Sequence, residues 1–191
     1  MTVGFNTLSL EITKKTDPRL MQTMSIHYSH PKGFVGRSIP YAIYYDCQYY
    51  GHIISGSATL HLAGRHEFLG TTSAQLNNII NNTYFHVTKI NGVYPCRNFV
   101  SAILKAWRLR TVNDWYAKYG DIVVGFETLV ELPRTGDCYK RDGWICVGKT
   151  IGFTCKRVGG KGTDSYTGKR VWNTNPDQLR PKLILCRKNS K

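Results

Sequence analysis

The chain has 191 residues, enough for one sizeable hydrophobic core, and at 41% apolar and 12% aromatic it is not a disordered protein. Its net charge of +14 points to polyanionic partners, with nucleic acid as the natural candidate. It contains no apolar run of about 18 residues, so no membrane-spanning helix is expected. The start, MTVGFNTLSL, lacks the basic opening and apolar stretch of a signal peptide.

In chain order, VGFNTLSLEIT alternates loosely and reads as a first strand. In TDPRLMQTMSIHYSH, Asp17 can cap a helix that opens with Pro18 and runs to about His27. Pro31, Gly33 and Gly36 punctuate a loop. Aromatic and β-branched residues then fill two strands, Tyr41–Tyr45 and Tyr49–Ala58, joined by a turn at Asp46-Cys47-Gln48. EFLGTTSAQLNNIINN reads as helix or irregular structure. TYFHVTKI reads as a strand with Tyr84, His86 and Thr88 on one face and Phe85, Val87 and Lys89 on the other.

Pro95 and Asn98 mark the start of a helix, with Asn98 as its expected cap. Phe99, Val100, Ile103, Leu104 and Trp107 form its apolar stripe, and Asn98, Ser101, Lys105 and Arg108 its polar face. TVNDWYAKYGD continues as a short helical segment ending at Gly120. IVVGFETLVEL is a buried strand that carries an acid, Glu127. A basic, aromatic loop follows, with Tyr139 and Trp144 among Lys140, Arg141 and Asp142. WICVGKTIGFTCKR supplies one or two further strands, and KLILCRK can be a last one. A basic, Gly-rich loop is expected around 156–182. The order of elements predicts a single α+β domain, 1–191, with a mixed sheet.

Charge is concentrated toward the end. From Arg134 to Lys191 there are fourteen Lys/Arg against four Asp/Glu, interleaved with Tyr139, Trp144, Tyr166 and Trp172. Cations mixed with aromatics suit phosphate contact and base stacking. Cys47, Cys96, Cys138, Cys146, Cys155 and Cys186 include no CxxC pair, so neither zinc nor disulfides are expected. His27 and His30 in HYSH lie three apart without an evident third ligand, which favours a structural or substrate-facing role over a metal.

Three constellations can carry chemistry. Arg97-Asn98-Phe99-Val100-Ser101 places an arginine at a helix N-terminus, either an anion site or an ordinary capped helix. Asp114, followed by Trp115 and Tyr116, is either a proton acceptor or a helix cap. Glu127, inside an apolar strand, is either a carboxylate tuned for acid–base work or half of a buried ion pair.

Taken together, Asn98 and Ser101, Asp114-Trp115, Tyr119-Gly120, Glu127-Thr128, Gly136 and Tyr139, Trp144, and Gly148-Lys149-Thr150-Ile151-Gly152 form a recognisable pattern. It resembles the core of the Mom DNA-modification proteins of transposable phages, over roughly 81–157. The resemblance implies a GNAT-like acyltransferase fold, with a mixed, largely antiparallel sheet flanked by helices. It implies a transferase that puts an acetamido or carbamoylmethyl group on the exocyclic amine of adenine in double-stranded DNA, shielding it from restriction, in the cytoplasm of a bacterial host. Acetyl-CoA or a related acyl-CoA follows by fold analogy. On this reading Asp114 or Glu127 removes the amine proton, and Ser101 orients the donor or stabilises an oxyanion. Arg97, Asn98 and Ser101 hold the cofactor. Tyr139, also a catalytic candidate, and Trp144 stack on the extruded base, while Lys140, Arg141, Lys149, Lys156 and Arg157 hold phosphates. His27 and Tyr28 border a substrate pocket, and no metal ligand is assigned. A non-catalytic DNA-binding anti-restriction protein, and an acetyltransferase for a protein or small molecule, are the competing readings. The oligomeric state, a dimer included, is left open.

Overall fold

The computed structural model describes residues 7–29, 31, 33–34, 36–152, 154–158, 169–173, 175 and 179–189, with 154–158 and 169–173 described as backbone. Its centre is a seven-stranded sheet built from β1 (Leu8–Ile12), β2 (Ser38–Tyr45), β3 (Gln48–Ser57), β4 (Ile79–Val87), β5 (Gly125–Glu131), β9 (Lys182–Lys188) and β6 (Ile145–Lys149), in that spatial order. Every neighbouring pair is antiparallel except β4 and β5. The strand β9 therefore comes back from the end of the chain to separate β5 from β6. A two-stranded ribbon, β7 (Thr154–Val158) with β8 (Lys169–Asn173), pairs within itself. Of the expected Gly-rich loop, residues 159–168, 174 and 176–178 lie outside the described residues, as does His30.

The predicted hairpin is present. Asp46 and Cys47 both adopt positive φ, the left-handed geometry of a two-residue turn; β2 starts three residues earlier than expected, and β3 keeps its expected length, shifted by one residue to start at Gln48. The helices are α1 (Pro18–Ile26), α2 (Arg65–Leu69), α3 (Phe99–Tyr119) and α4 (Asp137–Arg141). The stretch read as helix or irregular divides into α2, a 3-10 turn at Ser73–Asn78 and the first half of β4.

Alternation along the strands sends side chains to two cores. On one face Phe99, Ile103, Leu104, Trp107 and Trp115 of α3 pack on Tyr41, Ile43, Phe126, Val130 and Leu185. On the other, α1 packs Leu20 and Met24 on Ile54 and Tyr84, and α2 packs Leu69 on Ile79 and Ile184. The helix α3 is continuous through Tyr119, and its last turn stays apolar on the core side through Trp115. Arg108, expected on the polar face, is buried instead. Its Nε and Nη2 donate to Asp142 at 2.7 and 2.8 Å, and Asp142 also accepts from Trp144 Nε1 at 2.8 Å.

That clamp corrects the reading of the segment after β5. It is not a stacking lid. Gly136, at φ 69°, starts α4, where any Cβ would come within 2.7 Å of Leu185. Trp144 is 2% exposed and stacks on Trp107 with ring centroids 6.5 Å apart. Its indole fills the core and cannot reach a nucleobase. Lys140 and Arg141 stand on the exposed side of α4.

Candidate active site

The parallel pair β4–β5 is joined through only three residue pairs, ending at Asn81 and Glu127. Beyond them the strands diverge. Residue 83 is an extra residue on β4 opposite β3, where Ile54 pairs with Tyr84 and Ser55 with Asn82, and such a bulge bends its strand. Side chains replace the missing ladder. Thr128 Oγ1 donates to the Asn82 carbonyl at 3.0 Å, and Tyr139 Oη donates to Asn82 Oδ1 at 2.7 Å. His27 Nδ1 accepts from the Ser29 N–H at 3.3 Å, which leaves Nε2 to donate to the Phe85 carbonyl at 3.3 Å.

The divergence opens a cleft of about 790 Å³ that reaches both faces of the sheet. On the α3 face it is walled by Phe85, Val87, Tyr94, Val100, Cys138 and Tyr139. On the α1 face it is walled by His27, Tyr28, Tyr84 and His86, with Arg134 over the Tyr28 ring at 3.6 Å. Two reaction partners can therefore approach from opposite faces and meet where the strands part.

Burial sets the protonation of the groups that line it. Tyr139 is enclosed, which holds its phenol protonated well above the usual value. Burial pushes the Cys138 thiol up to about 11 and the Tyr84 phenol up to about 12, so neither is a ready nucleophile. Burial lowers His86, so its imidazole is neutral in a neutral solution. His86 has ring contacts with Tyr84 and His27 but no hydrogen-bond partner among the described residues. Asn82 Nδ2 is buried at the cleft without a partner among the described residues.

The helix α3 begins at this cleft. Asn98 precedes it in a left-handed conformation (φ 61°) that gives no side-chain cap, contrary to expectation. The N–H groups of its first turn are left open, and the positive end of the helix dipole lies there. Arg97 and Asn98 are exposed beside it. Ser101 is not among the residues lining the cleft; its hydroxyl donates to the Cys138 carbonyl at 3.2 Å, which ties α3 to α4.

Both carboxylates proposed as bases are elsewhere. Glu127 is fully buried and accepts from Arg65 Nη1 at 2.8 Å and the Thr59 N–H at 2.6 Å. Arg65, also fully buried, donates to the Thr59 carbonyl at 2.5 Å and the Leu60 carbonyl at 3.3 Å. Glu127 is thus half of an ion pair at the vertex of the divergence, pinning the 59–60 loop. Asp114 lies on the far half of α3, where it accepts from Arg110 Nε at 3.0 Å and Tyr41 Oη at 2.9 Å, and does not line the cleft. The structure therefore brings His27, Tyr28 and Tyr139 together and leaves Asp114, Glu127, Ser101 and Trp144 out. Lys149 is exposed at the end of β6, while Lys156 and Arg157 belong to the ribbon strand β7. Sequence reasoning missed His86, Asn82, Thr128 and Arg134. The alternation of TYFHV did place His86 beside Tyr84, but nothing in it said which face would open.

A mixed sheet that parts between β4 and β5, its parallel pair among the described residues, with a helix N-terminus at the opening, defines the fold. The fold is that of the GNAT acetyltransferases. Among solved structures it is similar to a GNAT family acetyltransferase from Elizabethkingia anophelis with acetyl-CoA bound, at 9% identity over 95% of this chain and 97% of that one, TM-score 0.55. It is similar to the aminoglycoside acetyltransferase AAC(6')-Ib in complex with coenzyme A and kanamycin, at 11% identity over 96% and 95% of the two chains, TM-score 0.54. RimL, a ribosomal L7/L12 α-N-protein acetyltransferase, gives 12% identity over 97% and 95%, TM-score 0.52. No family model and no curated protein sequence matches the chain.

Proposed function

We propose that this chain is an acyl-CoA-dependent transferase whose acceptor is the exocyclic amine of adenine in DNA. The observation that carries the transfer chemistry is the cleft between β4 and β5, open to both faces of the sheet and flanked by the uncapped start of α3. Its residues suit an acyl-CoA. The open N–H groups of α3 and the neighbouring Arg97 favour a pyrophosphate. The apolar wall of Phe85, Val87, Tyr94 and Val100 suits a flexible stem, and the unpartnered Asn82 amide offers a donor. When bound, the thioester supplies an acyl carbon open to attack by an amine.

The acceptor amine enters from the α1 face. An amine attached to an aromatic base is a weak nucleophile, so removal of its proton as the bond forms matters. His86 is the group placed to take it, being neutral, half-buried and without a competing partner among the described residues. Tyr139 faces the same cleft from the α3 side and stays protonated; by exchanging Asn82 Oδ1 for the sulfur it would donate a hydrogen bond to the departing thiolate, which takes its proton from solvent. His27, tied at both ring nitrogens, positions the Phe85 carbonyl and packs Tyr84.

Charge supports DNA over a polycationic acceptor such as an aminoglycoside. Arg134 and Lys182 line the cleft against a single acid, Asp137, in a chain of net +14. A cationic opening repels a polycation such as kanamycin and attracts a polyanion. The resemblance of the 81–157 segment to the Mom proteins supports adenine as the base, which would be extruded from the duplex to reach the cleft. The test is nucleoside mass spectrometry of plasmid co-expressed with the chain, alongside restriction digestion. A mass-shifted deoxyadenosine with resistance to cleavage is expected. Its mass separates an N-acetyl from a carbamoylmethyl product. Unmodified deoxyadenosine with acetylated peptides would overturn the DNA reading in favour of a protein acceptor.

A further inference from the structure

A second cavity, of about 670 Å³, lies beside the cleft and shares Leu129 and Lys182 with it. It is on the acceptor side of the sheet, because Leu129 and Ile184 point toward α2 and away from α3. Its walls are the ends of β5 and β6, the start of β9 and the 59–63 loop. That loop is held by the Arg65–Glu127 pair, so this wall is fixed before any ligand arrives.

The cavity collects cations that the fold leaves under-neutralised. Arg180 and Lys182 share one carboxylate, Glu131, at 3.6 and 3.8 Å, both longer than a hydrogen bond. Lys149 has no carboxylate partner among the described residues, and His61 lines the same wall. The Thr150 hydroxyl accepts from the Lys182 N–H at 3.0 Å, which leaves its own proton to donate. Gly152, at φ 88°, lets the chain pass against Arg180 and Pro181, where a Cβ would lie 2.4 Å from Pro181 N. The backbone bond from Arg180 N to the Gly152 carbonyl, at 3.0 Å, then fixes Arg180 at the cavity. Cations around a hydroxyl donor, with a single shared acid, make a site for a compact dianion or monoanion such as a phosphate group.

We infer that this cavity holds a backbone phosphate flanking the adenine being modified. The inference rests on the proposed DNA reading and adds where the strand runs: from the cleft past Lys182 toward Lys149 and Arg180. The phosphate anchors the nucleotide while the base turns into the cleft. The cavity is separate from the start of α3, which faces the donor on the opposite side.

Binding of a duplex oligonucleotide carrying one adenine, followed by fluorescence anisotropy over a range of salt, tests this without turnover. In the Lys149→Gln, Arg180→Gln double variant, affinity falls roughly tenfold, as for loss of charged hydrogen bonds. The slope of log Kd against log salt falls by about 1. A methylphosphonate, which removes one phosphate charge, next to the adenine produces the same loss in the wild type and no further loss in the double variant. An unchanged salt slope, or losses that add at each phosphate flanking the adenine, would overturn the site. Both side chains are solvent-facing, so unfolding temperature is expected to stay at the wild-type value. Lys149→Gln alone, which breaks no ion pair, provides a second variant. Non-additive losses with unmodified deoxyadenosine would keep the phosphate site and overturn the transfer reading. Modified deoxyadenosine with additive losses would do the reverse.

Discussion

Replacing Glu127 with Gln separates a buried structural acid from a catalytic one. The wild-type carboxylate sits at zero exposure against the equally buried Arg65 guanidinium, 2.8 Å away. The amide keeps the shape and can still accept from the Thr59 N–H, but it leaves a cation buried without its counter-charge. Breaking such a pair costs about 3–5 kcal/mol. For a chain of this size that corresponds to a fall of about 6–20 °C in Tm. Calorimetry gives the Tm, and transfer per folded molecule at a temperature below both transitions gives the activity. Glu127→Gln is expected to unfold early and, while folded, to retain transfer within about threefold, since its side chain points to Arg65 and does not itself line the cleft. The paired change Arg65→Met with Glu127→Leu removes both charges and recovers a large part of the lost Tm. A variant with wild-type Tm and abolished transfer would refute the argument and return Glu127 to the role of base.

Asp114→Asn removes a half-exposed pair with Arg110 and is expected to change stability by about 1 kcal/mol or less and transfer not at all, as read by urea unfolding and initial rates. Tyr139→Phe deletes that hydrogen-bond donor and is expected to lower the rate of thiol release about 10²–10³-fold in single-turnover assays, with a secondary loss of stability of about 1–3 kcal/mol from the orphaned Asn82 Oδ1. His86 sets the acid limb of kcat/KM. Because burial lowers it, activity is expected to fall only below the ordinary imidazole range, and His86→Gln is expected to remove that limb. Buried His52, lowered from 6.5 to about 4 by burial, governs acid stability. Between those values the unfolded chain binds the extra proton, so stability falls as pH falls from about 6.5, by about 3 kcal/mol once pH is below about 4. Urea unfolding at several pH values is expected to show this dependence weakened in His52→Gln.

The sheet and its main helix were legible because their signals are local. Asp46-Cys47 between two aromatic runs specifies a hairpin, and the spacing of Phe99, Ile103, Leu104 and Trp107 specifies a helix face. Non-local pairing was not legible. Nothing in KLILCRK says that β9 inserts between β5 and β6, and that insertion places Lys182 at the cleft. The same limit misassigned the aromatics and acids. Trp144 beside Lys and Arg resembles a stacking platform until Arg108, 36 positions earlier, proves to hold Asp142 and close the loop over the core. Glu127 resembles a tuned base until Arg65 arrives from a five-residue helix with no periodic signal. His86 was visible as a strand residue, but its role depends on β4 and β5 parting, which three residue pairs and a bulge determine.

The central claim is that the cleft carries a group from an acyl-CoA to adenine in DNA. Purified chain incubated with duplex DNA and isotopically labelled acetyl-CoA, followed by nucleoside mass spectrometry, tests it most directly. Labelled, mass-shifted deoxyadenosine is expected in the wild type, and its loss in Tyr139→Phe. Thioester consumption with every deoxynucleoside unlabelled would contradict it.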